Sequence, residues 1–324
     1  MAKNDNLTDF LVDVADAIRE KEGSSEPINP QEFSDRIRSL SGSGSGWTGH
    51  ADAEGLRAIG WDDEDIAFFQ EHGVDWNAED DEYHKVSEEN KALYGLDFFD
   101  VRGSKGNGKL HYLPKIDNKY DNLNQALNTS KTLVGIPKID FSKATVAAMM
   151  FVSNCSLLCV PELNIGHITS AREFFSQCRS LRYVGPLDLA NVTDAEEMFS
   201  SCSDLPHIKL SNTQKIEKMV RTFYGCISLV TIDELDMQSV TDAYYAFYDC
   251  ISLKNAYLKN LKVSILLSTS YYLSKESLLY IIDNEAAPEA ITISLASYAY
   301  QRLAEDADIV AALANHPNVS LASV

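Results

Sequence analysis

The sequence lacks the features that mark several common functional classes. No apolar run reaches the roughly 18 residues that a membrane-spanning helix needs. No glycine-rich phosphate loop, G-x-S-x-G nucleophile elbow or H-E-x-x-H zinc motif occurs. Basic residues are few: 28 lysines and arginines stand against 48 aspartates and glutamates, a formal charge of −20. Because such a surface repels phosphate backbones, we expect no nucleic-acid partner. From the missing apolar run and the missing motifs, we expect no membrane insertion, no cofactor, no metal and no enzymatic activity.

The N-terminus also lacks a secretory leader. The stretch Met1-Ala2-Lys3-Asn4-Asp5-Asn6 leads directly into an amphipathic pattern, without a charged-then-apolar leader or a small-residue cleavage site. We therefore expect that the protein works where it is made, or that it leaves the cell by a route other than Sec.

Five cysteines recur at a nearly constant interval, separated by 23, 24, 24 and 24 residues. A leucine follows each cysteine by three residues, and a phenylalanine precedes each of the last four by three. These repeat positions are Cys155, Cys178, Cys202, Cys226 and Cys250; Leu158, Leu181, Leu205, Leu229 and Leu253; and Phe175, Phe199, Phe223 and Phe247. A fixed period in this range indicates one small unit stacked on copies of itself. We expect free, buried, structural cysteines; disulfide bridges or metal binding are the alternative, although no C-x-x-C pair supports zinc.

The residues around each cysteine predict a strand and a short helix in every unit. Val184, Ile208 and Ile232 lie six residues after a cysteine and are expected to face the core of a strand. Ser170 with Glu173 has the spacing of a capping box, which predicts a helix start. A degenerate first copy is marked by Leu127, Ser130 and Leu133. We therefore predict an α/β fold: a solenoid of about five or six repeats of 23–25 residues, with a small helical N-terminal region and an α/β C-terminal cap.

Composition divides the chain into six segments. Apolar stripes at helical spacing predict two short helices within residues 1–40, used for attachment or oligomerisation. A Ser/Gly linker follows at 41–46. The remaining segments are a small acidic, mainly helical module at 47–100, a connector at 101–120, the repeats at 121–265 and the cap at 266–324. In the cap, we expect helices at 274–284 and 296–315 and strands at 291–293 and 319–321.

The acidic module contains 16 acidic and three basic residues. Leu56, Ile59, Ile66, Phe68 and Phe69 are expected to form its core together with Trp47, Trp61 and Trp76. The segment that starts at Asp75 resembles a calcium loop, but its sixth and twelfth positions are Asp80 and Val86 rather than Gly and Glu, so we expect a solvated acidic surface there. The module's histidines, His50, His72 and His84, lack a metal-ligand spacing.

Two sets of columns within the repeats are candidates for function. Asp188, Asn212, Asp236 and Asn260 each lie ten residues after a cysteine, where we favour a structural ladder that satisfies turn backbone groups over a ligand-binding row. If the sixth position after the cysteine faces inward, the fifth and seventh face outward. The binding residues predicted on this basis are Tyr183, His207, Thr231 and Asn255 in one column, and Lys209, Asp233 and Tyr257, with Gly185, in the other. An unused solvent face would show similar variety.

The units Phe199-Ser-Ser-Cys202-Ser-Asp-Leu205 and Phe223-Tyr-Gly-Cys226-Ile-Ser-Leu229 resemble the BspA-like branch of leucine-rich repeats, over about residues 125–265. The resemblance implies a leucine-rich-repeat solenoid with an arc-shaped surface for protein or glycan recognition and no shared catalytic residues. One unit departs from the pattern, since Ser211 and Thr213 stand where other copies have leucine or methionine. We expect an irregular strand there.

The segment Asp16-Ala17-Ile18-Arg19-Glu20-Lys21 resembles part of bacteriophage tail and fibre proteins, and Gly55-Leu56-Arg57-Ala58-Ile59-Gly60-Trp61 is similar to a module of gut-bacterial and phage leucine-rich proteins. These resemblances imply a non-enzymatic virion protein, associated with a tail or tail fibre and assembled in the host cytoplasm. Its partners would be other tail proteins or a host-surface receptor, with oligomerisation through the N-terminal helices. The alternative is a BspA-like adhesin at a bacterial cell surface. An enzyme would need an active site within residues 47–120.

Overall fold

The structure is a computed structural model that describes residues 53–72, 86–96, 101, 110–116 and 119–324. All of them lie in the compact unit Ala51–Val324. The helices predicted within residues 1–40, the linker at 41–46, Trp47, Trp76, His50, His84 and the candidate calcium loop fall outside the described residues, apart from Val86 at the loop's last position.

Three short helices form the described part of the acidic module: α1 (Ala53–Ala58), α2 (Asp63–His72) and α3 (Glu88–Lys91). Ser87 caps α3 by accepting a hydrogen bond from the backbone N–H of Asn90. The predicted core residues Leu56, Ile66 and Phe69 are buried, whereas Phe68 is only partly buried. Their cluster also includes Tyr112, Val134 and Cys159. The module is therefore packed directly against the first of the repeated segments.

Segments 24 residues apart lie side by side and parallel from residue 122 onward. One line of single-residue bridges joins Asn122, Val146, Ser170, Asp194, Lys218 and Asp242. We call these 24-residue segments copies and the whole of residues 121–265 the stacked region. Its apolar side chains form one core that continues into the C-terminal segment. The 24-residue period of the sequence thus corresponds to segments that pair side by side in the structure.

The helix predicted in each unit is wrong. Turns take its place, with left-handed backbone at two non-glycine residues four positions apart in most copies, such as Glu173 and Gln177. Positive φ at that interval is incompatible with a right-handed α-helix. Backbone N–H groups donate across copies instead; those of Glu173 and Phe175 reach the carbonyls of Glu196 and Met198 at 2.8 Å. In the stacked region as described, the only helical element is a 3₁₀ turn, Thr213–Lys215.

The predicted leucine-rich-repeat solenoid is also wrong, because its strands do not form one continuous sheet. The strands are β1 (Cys159–Val160), β2 (Tyr183–Val184), β3 (Leu187–Asp188), β4 (His207–Ile208), β5 (Leu210–Ser211), β6 (Thr231–Asp236), β7 (Asn255–Lys259) and β8 (Ile265–Leu267). They pair in parallel in small separate sheets, β1 with β2, β3 with β5, and β4 with β6 and then β7.

Pro206 accounts for the break between β2 and β4. At the matching position of other copies, the N–H groups of Arg182, Val230 and Lys254 donate to the preceding copy at 2.8–2.9 Å. Proline has no N–H, so this link is missing just before β4. The irregularity expected near Ser211 and Thr213 is confirmed, since Asn212 has left-handed backbone and Thr213 begins the 3₁₀ turn.

The core of the stacked region is built on columns of identical side chains. Phe175, Phe199, Phe223 and Phe247 are fully buried, and their rings stack at centroid separations of 5.5–5.6 Å. Phe151 extends this column by one copy, 5.4 Å from Phe175. Stacking of this kind contributes beyond simple burial. The column therefore fixes the 24-residue register of the copies.

The structure corrects the register of the first full copy. Asn154, not Cys155, occupies the cysteine position, since it lies 24 residues before Cys178 and donates through Nδ2 to the carbonyl of Leu127, 27 residues back, at 2.9 Å. Each cysteine from Cys178 onward donates across the same 27-residue separation. Likewise Leu157, rather than Leu158, fills the leucine column, and Leu158 is only partly buried. The predicted repeat positions Cys155 and Leu158 therefore lie one residue after the true column positions, Asn154 and Leu157.

The C-terminal segment contains α4 (Lys275–Asp283), β9 (Ile291–Leu295), α5 (Ser297–Leu303), α6 (Ala307–Asn315) and β10 (Val319–Ser323). The helix expected at 296–315 is two helices, because Asp306 accepts hydrogen bonds from the backbone N–H groups of Asp308 and Ile309 and so starts a new one. Strands β8, β9 and β10 form a parallel sheet, with β9 in the centre. Apolar residues of α4 and this sheet continue the main core.

Candidate binding surface

Six of the predicted binding residues lie together on the sheet formed by β4, β6 and β7. His207, Thr231 and Asn255 are direct partners in the parallel register. The second column, two positions further along the chain, is Lys209, Asp233 and Tyr257. Lys209 follows the end of β4, and the register of β6 with β7 shifts after Ile232, so that this column is less regular than the first. None of the six is buried, whereas Ile208, Ile232 and Ala256 between them are. The predicted alternation is therefore confirmed for these strands, and we call the six residues the strand row.

Hydrogen bonds across copies order the strand row. His207 Nε2 lies 3.1 Å from Asp233 Oδ1, with about half of each side chain exposed. Asn255 Nδ2 donates to Thr231 Oγ1 at 3.3 Å, and Asn255 Oδ1 accepts from the Ser274 hydroxyl at 3.2 Å. The row thus presents an imidazole, a carboxylate and an amide in fixed relative positions. Such a pre-ordered mixture of donors and acceptors loses little side-chain freedom on binding.

A polar cluster borders the row at its C-terminal end. The rings of Tyr257 and Tyr280 meet edge to face at 5.3 Å, and the Tyr280 hydroxyl donates to Glu234. Lys259 Nζ lies 2.5 Å from Glu234 Oε1. Hydrogen bonds from Lys259 and Tyr280 lower the pKa of Glu234, while burial and the hydrogen bond to Glu234 raise the pKa of Tyr280 to about 12. At neutral pH this border is therefore a carboxylate held between a neutral phenol and an ammonium group.

Tyr183 and Gly185, predicted for the same two columns, are separated from the strand row. The imidazole of His72 stacks on the Tyr183 ring at 3.8 Å, and Phe68 meets that ring edge-on at 5.6 Å. Helix α2 therefore covers the strand face at β2. Burial lowers the pKa of His72, so the stacked imidazole is held in its neutral form. Tyr183 and Gly185 line a pocket of about 210 Å³ between α2 and the strand instead.

Asp65 fastens α2 to the rest of the fold. Its side chain is almost fully buried, with Oδ2 at 2.7 Å from Lys115 Nζ and Oδ1 accepting the backbone N–H of Lys138 at 2.8 Å. Burial acts to lower the pKa of Lys115, but hydrogen bonds to Asp65 and Asp62 outweigh it and raise that pKa. Removing one member of a buried, paired set leaves the other charge uncompensated. The acidic module is thus anchored to the stacked region, where it covers β2.

The Asp/Asn column has the structural role favoured from the sequence. Asn212 Nδ2 donates to Asp188 Oδ1 at 2.9 Å, and Asn260 Nδ2 donates to Asp236 Oδ1 at the same distance. Asp188 Oδ1 also accepts the backbone N–H of Ala190, two residues further on. Both asparagines have left-handed backbone, a conformation that asparagine tolerates. The prediction of a turn-satisfying ladder is confirmed.

All six cysteines are free, as expected, and five are buried, Cys155 being the half-buried exception. The column thiols do more than fill space: Cys202 Sγ donates to the carbonyl of Phe175 at 3.2 Å, and Cys226 Sγ donates to that of Phe199 at 3.1 Å. Burial raises the pKa of Cys226 to about 12, so its thiol stays protonated. Within the described part of the chain, no three potential ligands form a metal-binding group.

Sequence reasoning missed a second surface, formed by the turns. Glu197, Ser200, Arg221, Tyr224, Tyr245 and Tyr248 line an open pocket of about 380 Å³. We call it the tyrosine pocket. A signal was present in the sequence, since Tyr224 and Tyr248 each follow a column phenylalanine by one residue and are 24 residues apart.

Residues 144–261 match the model of a family described as "Mycoplasma protein of unknown function, DUF285", which is found in BspA-like surface proteins. The match covers the centre of the stacked region and includes the whole strand row. No curated protein and no solved structure matches the chain. Among the described residues, no helix combines the length and apolar character needed to cross a membrane.

Proposed function

We propose that the protein is a non-enzymatic recognition protein and that the strand row contacts its partner, a protein or a surface glycan. The observation that carries this proposal is the ordered, accessible set of side chains on β4, β6 and β7. Helix α2 places two rings, His72 and Phe68, on the corresponding face at β2. Along the row, Tyr280 makes one such ring contact, with Tyr257 at the edge of the row. Among the described residues, the row is therefore the more open part of the strand face.

The chemistry of the row supports recognition rather than a solvated face alone. Tyr257 supplies aromatic area, Asp233 and Lys209 supply charge, and His207 supplies an imidazole within the same two columns. Aromatic anchors beside a polar rim are typical of protein interfaces. A partner bound through charged groups would be sensitive to reversal of a single charge.

Lys209→Glu tests the row, with Lys143→Glu as the matched control. Both lysines are exposed, and both substitutions change the charge by the same amount. We expect Lys209→Glu to weaken attachment of the labelled full-length protein to its native assembly or target cell at least tenfold, about 1.4 kcal/mol. Lys143→Glu should bind like the unmodified protein. Equal binding by both variants would count against the row as the contact surface.

For the biological setting, we propose a phage virion, with the protein associated with the tail or tail fibre. This proposal is supported by the resemblance of Asp16–Lys21 to tail and fibre proteins and by the similarity of the segment from Gly55 to Trp61 to phage leucine-rich proteins. The row would then meet a host-surface receptor or a neighbouring tail protein. Quantitative mass spectrometry of purified particles should find the chain at a reproducible copy number. Its absence from the particles would contradict this setting.

A bacterial surface adhesin is the second candidate, and the family match at residues 144–261 favours it, because that family is found in BspA-like surface proteins. In this setting the row would bind a host protein or glycan. Labelling of intact cells with a membrane-impermeant amine reagent separates the two candidates. An adhesin would be labelled on cells that carry no phage, whereas a virion protein would not.

A further inference from the structure

We infer that the tyrosine pocket binds a neutral saccharide, with one pyranose ring seated on the face of Tyr224. The pocket belongs to the turns and shares no residue with the strand row. Three rings, those of Tyr224, Tyr245 and Tyr248, meet there beside Arg221, Glu197 and Ser200. Its volume of about 380 Å³ is within the about 300–1,000 Å³ common for small-molecule sites.

The stack of tyrosine rings ends at Tyr224. Tyr224 and Tyr248 occupy equivalent positions in adjacent copies, and their rings stack at 5.6 Å with an interplanar angle of 16°. One copy earlier the equivalent residue is Ser200. Its carbonyl accepts a hydrogen bond from the backbone N–H of Gln177 in the preceding copy, and the N–H of the adjacent Ser201 donates to the carbonyl of Tyr224. The short serine leaves room for a ring beside Tyr224, and both residues line the pocket.

The walls of the tyrosine pocket have a fixed geometry. Tyr245 lies 4.9 Å from Tyr248 and 4.0 Å from Tyr244 between ring centroids, so neighbouring rings support it on two sides. Glu197, Arg221 and Tyr245 occupy equivalent turn positions, all with left-handed backbone at φ of 53–55°. The pocket is therefore built by the repeat geometry and does not need a ligand to form.

The chemistry of the pocket walls favours a neutral saccharide as the ligand. Arg221 Nη1 lies 3.4 Å from Glu197 Oε1, so the wall offers a paired donor and acceptor with little net charge. An aromatic side chain of a partner would stack on Tyr224 but leave these polar groups and the Ser200 hydroxyl without partners. Adjacent hydroxyls of a pyranose can pair with them, while its C–H face meets the electron-rich ring face. The acidic chain disfavours anionic sugars.

Saturation-transfer NMR on the full chain tests the inference, with methyl glucoside, methyl galactoside, methyl mannoside, N-acetylglucosamine and L-fucose as probes. We expect at least one probe to bind with a dissociation constant of about 1 mM or tighter, as a ligand of this size allows. Ser200→Tyr is the decisive variant, because it extends the ring stack into the vacant place. It should weaken binding at least tenfold, about 1.4 kcal/mol, without lowering the melting temperature. Tyr224→Ala should weaken binding as well.

Lys143→Glu serves as the control, since the exposed Lys143 belongs neither to the strand row nor to the tyrosine pocket and its substitution should leave saccharide binding unchanged. Three outcomes would overturn the inference: no binding of any probe, binding that Ser200→Tyr and Tyr224→Ala leave unaltered, or binding of p-cresol, a mimic of a tyrosine side chain, in place of the sugars. The last result would assign the pocket to a protein partner. Because the row and the pocket are altered by different variants, failure of one proposal is distinguishable from failure of the other.

Discussion

The phenylalanine column predicts that the cost of losing one ring depends on its number of ring neighbours. Phe199 is fully buried, with Phe175 and Phe223 stacked on its two sides at 5.6 Å. Phe247 is equally buried but stacks only on Phe223, at 5.5 Å, among the described residues. Replacing each by leucine keeps most of the apolar volume and removes the aromatic contacts. The two substitutions therefore isolate the contribution of stacking.

The expected magnitude follows from two contributions. A volume-conserving core change costs up to about 1.5 kcal/mol, and each lost aromatic pair adds about 0.5–1.5 kcal/mol. Phe199→Leu should therefore lower the free energy of unfolding by roughly 2–4 kcal/mol, and Phe247→Leu by about 1 kcal/mol less, since it loses one pair instead of two. Urea denaturation followed by circular dichroism measures both, with Tyr298→Leu as an exposed control that should cost little. Equal losses at Phe199 and Phe247, or a negligible loss at Phe199, would refute the stacked column as the source of register.

Three further results are expected. Ser201→Gly should raise the free energy of unfolding by about 0.5–1 kcal/mol in thermal melts, because Ser201 has φ of 60° where the next copy has Gly225. Gly225→Ala should lower the free energy of unfolding for the same reason. An unchanged stability in both variants would contradict backbone strain at these turn positions. N-Ethylmaleimide at pH 7 should add to Cys155 alone in the folded protein, as judged by intact mass, since the other thiols are buried; a second fast adduct would contradict this. Burial lowers the pKa of His72 below its ordinary value of about 6.5. The contribution of the neutral imidazole to folding stability is therefore complete above about pH 6.5 and is lost as the pH falls through the lowered pKa. An NMR titration of His72 should place its midpoint below 6.5, and His72→Gln should lose that part of the pH dependence of stability; a midpoint at or above 6.5 would contradict the stacked, neutral imidazole.

Much of the local packing was readable from the sequence because the period is strict. Identical residues at 24-residue spacing pack against each other whatever the backbone between them, so the phenylalanine column and the inward face of β4, β6 and β7 were predicted correctly. The first copy was misplaced by one residue, since Cys155 lies beside Asn154, which takes the cysteine position. An amide donor that replaces a thiol donor cannot be recognised by residue identity alone.

The turns and the small separate sheets could not be predicted from the sequence, because they depend on backbone conformation and backbone hydrogen bonds. Ser170 with Glu173 has the spacing of a helix cap, but Glu173 adopts positive φ and its N–H donates to the next copy instead of starting a helix. Periodicity cannot distinguish these turns from a short helix, because both repeat once in each copy. The break at Pro206 depends on one missing N–H.

The candidate surfaces were predicted in part. Alternation along the strands located the strand row, but Tyr183 was assigned to it without knowledge that α2 covers that position. The tyrosine pocket required the observation that Ser200 occupies a ring position in the stack. That relation is meaningful only once the copies are known to lie side by side.

Photo-crosslinking from the strand row is the most direct test of recognition through this surface. Full-length protein carrying benzoylphenylalanine at Thr231 would be placed in its native setting, with a matched sample carrying it at Tyr298, an exposed residue of α5 outside the row. We predict a discrete protein or glycan adduct from position 231 and none from position 298. Equal adducts from both positions, or none from position 231, would contradict the proposed role of the strand row.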